Sequence, residues 1–402
     1  MGATSSQRAL RASAALSCVY FAAVGLFNPY APLWYKDMGL PVFALGLLAS
    51  LPNYTRLFGP FVWGALADKR GHRARLMRIA ALASFISALG LLLPFSSMGD
   101  IAPYVLGLVI LAQFSFNSGL VPLNETLVAS HLKSDTGGMD AARYGHVRVW
   151  GSIGFMVMVL ISGPVFELVS MKAFPWLVVA VLAVLVWVAW QVPVHTDPVQ
   201  EQDTAPPLRL VMKRPEVLWF FAGCFLTVLA HAALYSFFSL YLDGLGYSKS
   251  TVGMLWGVSV AVEIAWFFLQ GRWLTNTNLH GWLLAAALIT ALRFGLTAAF
   301  GLTLWILVLA QCLHAVTFAT QHTVCIALIT QYFPGRLRGR GQALYTILGY
   351  GVSGVVGGLG GAALSHRYDY VSVFWAACAV GLAAALCCWR SLQLARQVAG
   401  TA

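Results

Sequence analysis

Residues 64–73 have the sequence GALADKRGHR, a short polar stretch that is rich in cations. Long apolar runs lie on both sides of it, at about 42–66 and 75–97, and each is long enough to cross a bilayer as a helix. A charged loop between two such runs predicts a helical hairpin in a membrane, with its loop in water. The rest of the chain repeats this pattern, so the stretch decides the fold class.

The composition of the whole chain also fits a membrane. Of its 402 residues 59% are hydrophobic and only 10% are charged, whereas a soluble domain carries about 25% charged residues. Side chains that face lipid must be apolar, so the composition excludes an ordinary soluble protein. We place twelve membrane-spanning helices at about 12–36, 42–66, 75–97, 101–130, 143–166, 172–193, 214–242, 249–273, 279–300, 302–332, 341–365 and 370–391.

The polar residues 195–213 divide the twelve spans into two groups of six. We predict an N-terminal six-helix bundle over 1–194, a cytoplasmic linker over 195–213 and a C-terminal six-helix bundle over 214–402. Most of the 25 Lys and Arg residues fall on one side of the spans, which the positive-inside rule makes cytoplasmic. We therefore expect a multi-pass protein of a bacterial inner membrane with both termini in the cytoplasm. This distribution accounts for the excess of positive charge, so we expect no nucleic acid as a partner.

The two halves resemble each other in sequence. A shift of 207 residues places Gly39 on Gly246 and Arg56 opposite Glu263, and in both halves a loop leads into a long apolar helix. Duplicated six-helix halves are a transporter architecture in which the solute site lies near the middle of the membrane. The sequence thus predicts an all-α membrane protein with two pseudo-symmetric six-helix bundles.

The loop at 64–73 resembles the cytoplasmic loop motif of the major facilitator superfamily, G-x-L-A-D-R-x-G-R-R, with His72 in place of the usual cation. The resemblance implies a conformational latch. Gly64 would let two helices approach, Gly71 would supply a tight turn, and Asp68 would cap a helix or pair with a cation. The alternative is a basic loop with no special role. We predict gating roles for Gly64, Asp68, Gly71 and Arg73.

Two further segments carry a finer resemblance. Residues 143–155, RYGHVRVWGSIGF, and residues 311–322, QCLHAVTFATQH, look like the phenylpropionate-permease branch of that superfamily. Relatives of this branch include nucleoside–proton symporters and the lactose-permease group. The resemblance implies uptake of a small organic solute by alternating access, with a Glu as the favoured proton carrier and a His beside it.

Five charged residues lie inside the predicted spans as candidates for deeply embedded charges, away from the loops: Arg56, Glu125, Arg148, Glu263 and Arg293. A charge deep in hydrocarbon costs ~3 kcal/mol or more, so it usually faces the bundle interior and has a partner. Glu125 and Arg148 lie on adjacent spans and could meet, whereas Glu263 could meet either Arg56 or Arg293. The alternative is that these pairs only fix helix packing, or that Arg148 extends to the interface. Our candidates for proton coupling are Glu125, Glu263, His322, Arg148 and Arg293.

The embedded charges and polar residues also suggest the solute. Three Arg against two Glu leave one positive charge, which suits a carboxylate, and aromatic neighbours suit a ring. At 100° per residue the tenth span places Gln311, Phe318 and His322 near one line. Asn28-Pro29-Tyr30 interrupts the first span and suits a broken or kinked helix that lines a cavity. Our candidates for solute binding are Asn28, Tyr30, Asn53, Arg56, Asn117, Asn124, Gln311, His314 and Phe318.

Our leading hypothesis is a proton-coupled symporter for an aromatic carboxylate such as a phenylpropionate. A nucleoside or sugar symporter and a drug or metabolite exporter of the same fold are the alternatives. The sequence has no paired catalytic carboxylates, nucleophile motif or metal-ligand spacing, so we expect neither an enzyme nor a cofactor or metal. The expected partners are the solute, protons and the lipid bilayer, and we expect a monomer.

Overall fold

The computed structural model describes residues 3–132, 141–194, 208–274, 278–334 and 337–400. These residues are almost entirely helical, and no β-strand occurs among them. The α-helices are, in chain order, α1 (Ala3–Asp37), α2 (Val42–Arg70), α3 (Arg73–Ala88), α4 (Ala102–Asn117), α5 (Leu120–His131), α6 (Ala141–Leu168), α7 (Phe174–Gln191), α8 (Pro215–Gly244), α9 (Lys249–Leu269), α10 (Leu279–Ala299), α11 (Leu304–Cys312), α12 (Gln321–Tyr332), α13 (Arg338–Tyr345), α14 (Ser353–Arg367) and α15 (Tyr370–Gly400).

Eleven helical segments of the described chain are long and apolar enough to cross a membrane. Three of these segments combine shorter pieces: α4 with α5, α11 with α12, and α13 with α14. The helix α2 is a twelfth crossing. It is 29 residues long, but Asn53 and Arg56 in its middle make it less apolar than the others. The chain is therefore an all-α membrane protein with twelve transmembrane crossings, as predicted.

Contacts between residues divide the chain into two units. The first unit is Met1–Gln202 with Ser248–Gly253, and the second is Asp203–Tyr247 with Met254–Ala402. Residues 195–207 of the predicted linker lie outside the described residues. Its last part, Leu208–Lys213, forms a 3-10 helix.

The core of the second unit is formed by side chains from four of its helices. Phe221 of α8, Leu283 of α10, Leu328 of α12 and Cys388 of α15 belong to one buried cluster, and each is at most 3% exposed. This apolar cluster fixes the backbones of the helices that carry the polar residues described below, because interior side chains pack closely.

The sequence repeat is visible in the geometry of both halves. The helix α1 ends at Asp37 and α8 ends at Gly244, 207 residues later, and α2 and α9 begin with the same offset. In each connecting loop the glycine that the repeat pairs is left-handed, with φ of +75° at Gly39 and +84° at Gly246. The two halves therefore use the same turn between their first and second helices.

The fourth span is broken, which the sequence did not predict. The helix α4 ends at Asn117 and α5 begins at Leu120. Pro122 has no N–H to donate to the carbonyl four residues before it, which weakens the helix at this point. The indole of Trp63 on α2 donates to the carbonyl of Ser115, at 3.0 Å, just before the break. Of the broken or kinked helix predicted at Asn28-Pro29-Tyr30, the break is wrong, because α1 continues through these residues with Pro29 inside it.

Glycines bring α1 and α6 together in the first unit. A Cβ at Gly25 would lie 2.6 Å from the carbonyl oxygen of Phe155, and a Cβ at Gly154 would overlap the carbonyl oxygen of Cys18. The two backbones touch because neither glycine has a side chain. This crossing places Arg148, near the start of α6, against the side chains of α1.

Candidate functional site

Arg293 is the centre of a polar network in the second unit. Its side chain, on α10, is fully buried. One terminal nitrogen, Nη1, donates to His314 Nδ1 at 2.9 Å and to Thr317 Oγ1 at 3.3 Å. The other, Nη2, donates to Gln311 Oε1 at 2.9 Å. The planar fork of the guanidinium thus binds three side chains of the tenth span at once.

His314 connects Arg293 to a carboxylate. A guanidinium can only donate, so His314 Nδ1 must accept, and the proton of the neutral ring lies on Nε2. That nitrogen is 3.6 Å from Glu263 Oε2 on α9, and the Glu263 side chain is 12% exposed. The sequence analysis gave Arg56 and Arg293 as possible partners of Glu263. In the structure the imidazole of His314 lies between Glu263 and Arg293.

A second branch of the network leads from Arg293 to α8. Thr317 accepts from Arg293 and donates to His231 Nε2, 3.2 Å away. The other ring nitrogen of His231 donates to the carbonyl of Thr227 at 2.8 Å, because a carbonyl can only accept. His231 Nδ1 therefore carries a proton, and both ring nitrogens of His231 have a hydrogen-bond partner.

Two hydrogen bonds hold α9 against the tenth span and so position Glu263. Trp266 Nε1 donates to Thr320 Oγ1 at 2.7 Å, and Gln270 Nε2 donates to Thr323 Oγ1 at 3.0 Å. Trp266 lies in α9 one turn after Glu263, and Gln270 begins the 3-10 helix Gln270–Arg272 that follows α9. These two hydrogen bonds therefore fix the position of the Glu263 carboxylate relative to His314.

Three rings of the tenth span form a stack. The rings of His314 and Phe318 are 5.1 Å apart and inclined by 14°, and those of Phe318 and His322 are 6.3 Å apart and inclined by 13°. The backbone between them is a π-helix, Ala315–Thr320. Such insertions often occur at functional sites. Phe318 and His322 are half-buried, so part of the stack is accessible.

His322 also meets two tyrosines. Its Nδ1 is 3.4 Å from the hydroxyl of Tyr345 and 3.4 Å from that of Tyr350, and the two hydroxyls are 3.3 Å apart. Tyr345 ends α13, and Tyr350 lies in a second π-helix, Thr346–Val352.

The first unit contains a second charged group. Arg148 Nε is 4.0 Å from Glu125 Oε1, and both side chains are nearly half exposed. The guanidinium of Arg148 also lies over the ring of Phe21, 4.6 Å from its centroid. The hydroxyl of Tyr20 is within electrostatic range of Arg148, Glu125 and Arg56. The predicted pairing of Glu125 with Arg148 is present in the structure, at the long end of ion-pair distances.

Buried amides lie beside this group. Asn124 Nδ2 donates to the carbonyl of Ser13 at 3.1 Å and to Ser17 Oγ at 3.0 Å. The side-chain oxygens of Asn117 and Asn124 have no hydrogen-bond partner among the described residues. A small pocket adjoins Asn124. Its lining residues are Leu16, Ser17, Tyr20, Phe21, Leu120, Val121, Asn124, Glu125 and Arg148.

Other predicted solute-binding residues lie on α1 and α2. Asn28, Asn53 and Arg56 are half-buried. Tyr30, by contrast, is fully buried, and its hydroxyl donates to the carbonyl of Val159 at 2.8 Å. The structure therefore places Tyr30 in the packing between α1 and α6 and not at an accessible surface.

The predicted gating loop forms the turn between α2 and α3. Gly71 ends α2 with φ of +63°, and its N–H donates to the carbonyl of Ala67 at 2.8 Å, so the tight turn is present. The predicted close approach at Gly64 is wrong, because a Cβ there would meet nothing within 4 Å. Arg73 begins α3 and is half-buried. The side chain of Asp68 lies outside the part of the chain that the structure describes.

Sequence reasoning missed several residues of these networks. His231 stands alone in the apolar run of α8, and its only local signal is Thr227, four residues earlier. Tyr345 and Tyr350 are five residues apart, a spacing that does not share a face of an α-helix. Only the π-helix brings them together.

Two buried donors at the centre of the second unit have no partner among the described residues, Arg293 Nε and Gln311 Nε2. They suit an oxygen acceptor such as a water molecule or an oxygen atom of a solute. In the described residues no group of three His, Cys, Asp or Glu side chains is placed to hold a metal ion.

Comparison with known proteins gives relatives over nearly the whole chain. The profile of the MFS_1 like family matches residues 13–376. A protein of Escherichia coli (strain K12) named as probable 3-phenylpropionic acid transporter is 28% identical over 372 residues, covering 91% of this chain and 93% of the relative. The maltose permease of Geobacillus stearothermophilus is 24% identical over 357 residues, covering 89% and 87%.

Solved structures of transporters have a similar fold. The crystal structure of the nucleoside transporter NupG superposes with a TM-score of 0.79 at 16% identity, covering 95% of this chain and 98% of the other. At this identity the likeness establishes the shared fold. From the family match over most of the sequence and the twelve crossings, we conclude that the chain belongs to the MFS_1 like family and is a major facilitator superfamily transporter, not an enzyme.

Proposed function

We propose that this transporter is a symporter that couples the inward movement of protons to the import of a small organic solute by alternating access. The proposed solute is an aromatic carboxylate such as a phenylpropionate. We further propose that the chain works as a monomer in a bacterial inner membrane with both termini in the cytoplasm. Residues 195–213 would then join bundles 1–194 and 214–402 as a cytoplasmic linker.

The main support for proton coupling is the arrangement of three residues, in which His314 lies between Glu263 and Arg293. The imidazole is held neutral by its bond to Arg293, because a second proton on the ring would put a positive charge 2.9 Å from the guanidinium. The group left to take up a proton is the Glu263 carboxylate, 3.6 Å from His314 Nε2. A proton on Glu263 removes the attraction between its charge and this network, and we propose that the loaded protein then changes conformation more readily.

Glu125 is the second candidate carrier. It lies at 4.0 Å from Arg148, and both side chains are nearly half exposed, so a proton or a solute can reach them. An intramembrane pair of this kind marks a path for ions or solutes more often than a purely structural contact.

A carboxylate solute is supported by the charges of the described spans. Two cations, Arg56 and Arg148, and one carboxylate, Glu125, lie within electrostatic range of the Tyr20 hydroxyl. Arg293 Nε and Gln311 Nε2 add two donors without a described partner. The name of the Escherichia coli relative points to the same solute class. Because the chain is also similar to a maltose permease and to a nucleoside transporter, sugars and nucleosides are the alternative solutes.

The direct test of coupling is Glu263→Gln. Glutamine cannot take up or release the proton, so accumulation of labelled 3-phenylpropionate driven by a pH gradient should be lost in proteoliposomes. Exchange of labelled for unlabelled solute needs no net proton transfer and should continue. Glu125→Gln is measured in parallel, and Glu201→Gln in the proposed linker is the matched control. Undiminished accumulation in both the Glu263 and Glu125 variants would remove this mechanism.

Arg56→Gln tests the charge of the solute. We expect the affinity for 3-phenylpropionate to fall at least about tenfold, because one charged hydrogen bond is lost. The affinity for a neutral nucleoside should be unchanged. Binding of uridine or maltose in place of the acid would instead favour the neutral alternatives. Outward transport with drug resistance in expressing cells would favour the exporter.

A further inference from the structure

The π-helix Thr346–Val352 builds a group of three polar atoms that a regular helix could not form. In an α-helix, residues five apart point about 140° away from each other. A π-helix bonds residue i to residue i+5 and so places such residues near one another on one face. Tyr345 directly precedes this stretch and Tyr350 lies within it, and both hydroxyls reach His322.

The three atoms form a nearly equilateral triangle. Its sides are 3.4, 3.4 and 3.3 Å, each longer than a normal hydrogen bond between hydroxyls. One oxygen atom about 2 Å above the plane of the triangle would lie at roughly 2.8 Å from all three, the normal distance. The arrangement therefore has the dimensions of a cradle for a single oxygen.

The chemistry of the cradle selects the kind of oxygen. Two phenol hydroxyls and an imidazole can each donate or accept and are neutral, so they suit a hydroxyl group, which also does both. A buried carboxylate would need a cation to compensate its charge. The adjoining ring of Phe318 presents its edge, because its two faces stack on His314 and His322.

We infer that His322, Tyr345 and Tyr350 form a subsite for a hydroxyl group carried by the ring of the solute, with the edge of Phe318 beside that ring. This inference rests on the proposed function for the class of solute and adds to it a ring hydroxyl. Tyr345 is buried, whereas His322 and Tyr350 are half-buried, so a ligand would reach the three atoms past His322 and Tyr350. Half-buried polar groups inside a membrane face water or solute in preference to lipid.

The experiment compares matched ligands on the purified full-length protein. The first pair is 3-phenylpropionate against the best of its three ring-hydroxy isomers, measured by calorimetric titration. The wild-type protein should bind the hydroxylated acid at least about tenfold more tightly, because the ring hydroxyl adds hydrogen bonds that the unsubstituted ring cannot make. Tyr350→Phe and Tyr345→Phe should remove this preference and leave the affinity for 3-phenylpropionate unchanged. Tyr104→Phe, at an exposed tyrosine of α4, is the control.

The second pair is neutral and separates the subsite from the proposed solute class. Saturation-transfer NMR compares 4-ethylphenol with its methyl ether. The subsite is supported if the protein prefers the phenol and both tyrosine variants abolish this preference. If that result is found while no acid binds, only the proposed aromatic-acid solute is wrong. Binding of the acids without any preference for a hydroxyl, or a preference that survives both variants, overturns the subsite and leaves the proposed function standing.

Discussion

Arg293 has its role because of its shape as well as its charge. The guanidinium contacts His314, Thr317 and Gln311 in one plane, and the side chain is fully buried. Burying such a group is expensive unless its donors are used, and the polar side chains of the tenth span accept from both terminal nitrogens. The same bonds fix the tautomer of His314, so the position of one arginine determines which atom faces Glu263.

Arg293→Lys separates charge from shape. An ammonium cannot reach Gln311 and His314 together, so at least one buried acceptor loses its donor, at a cost of about 1–3 kcal/mol. We expect a lower melting temperature in detergent and a loss of proton-driven accumulation of at least about tenfold. Arg367→Lys, at an exposed cation of α14, is the control. Wild-type accumulation in Arg293→Lys would show that the charge alone is sufficient.

Helix irregularities position much of the polar chemistry at the scale of elements. The fourth span breaks between Asn117 and Leu120, and the tenth and eleventh crossings contain π-helices. Sequence predicted the positions and lengths of the twelve spans because hydropathy depends only on local composition. It did not predict these irregularities, because a π-helix differs from an α-helix by one residue of register and leaves the hydropathy unchanged. For the same reason the Tyr345–Tyr350 pair was not found.

The crossing of α1 and α6 provides a test at this scale. Gly154→Ala puts a methyl group against the backbone of Cys18, which cannot move aside as a side chain would. We expect a destabilisation of about 1–3 kcal/mol, measured as a lower melting temperature. Gly64→Ala is the matched control, because open space surrounds that position and alanine favours a helix.

The pair of variants has two informative outcomes. A fully stable Gly154→Ala protein would contradict the close contact of the two backbones. A stable Gly64→Ala protein that does not transport would show a gating role for Gly64 that does not depend on close packing.

Duplication organises the molecule as a whole. The offset of 207 residues, found in the sequence, recurs in the helix ends and in the left-handed glycines of both halves. The halves differ in their charges, with Arg56 in one and Glu263 at the matching position of the other. Each unit therefore keeps the backbone of the repeat while its polar side chains have diverged. Sequence could identify the charged residues, but their partners depend on three-dimensional packing.

The paired glycines allow a test of the repeat. Gly39→Ala and Gly246→Ala each place a Cβ in a left-handed conformation, although no atom lies within 4 Å of either site. The cost should therefore come from backbone strain alone, about 1–2 kcal/mol, and should be similar in the two variants. Asparagine tolerates this conformation better and should lower the melting temperature less than alanine does. A large difference between the two alanine variants would contradict the shared turn.

The central claim, that protons move with the solute, is tested most directly by proton flux. Proteoliposomes in weakly buffered medium, with no initial gradient, receive 3-phenylpropionate while the external pH is recorded. The wild-type protein should make the medium more alkaline as solute and protons enter together, and Glu263→Gln should not. Uptake of labelled solute without any change in external pH would contradict the account.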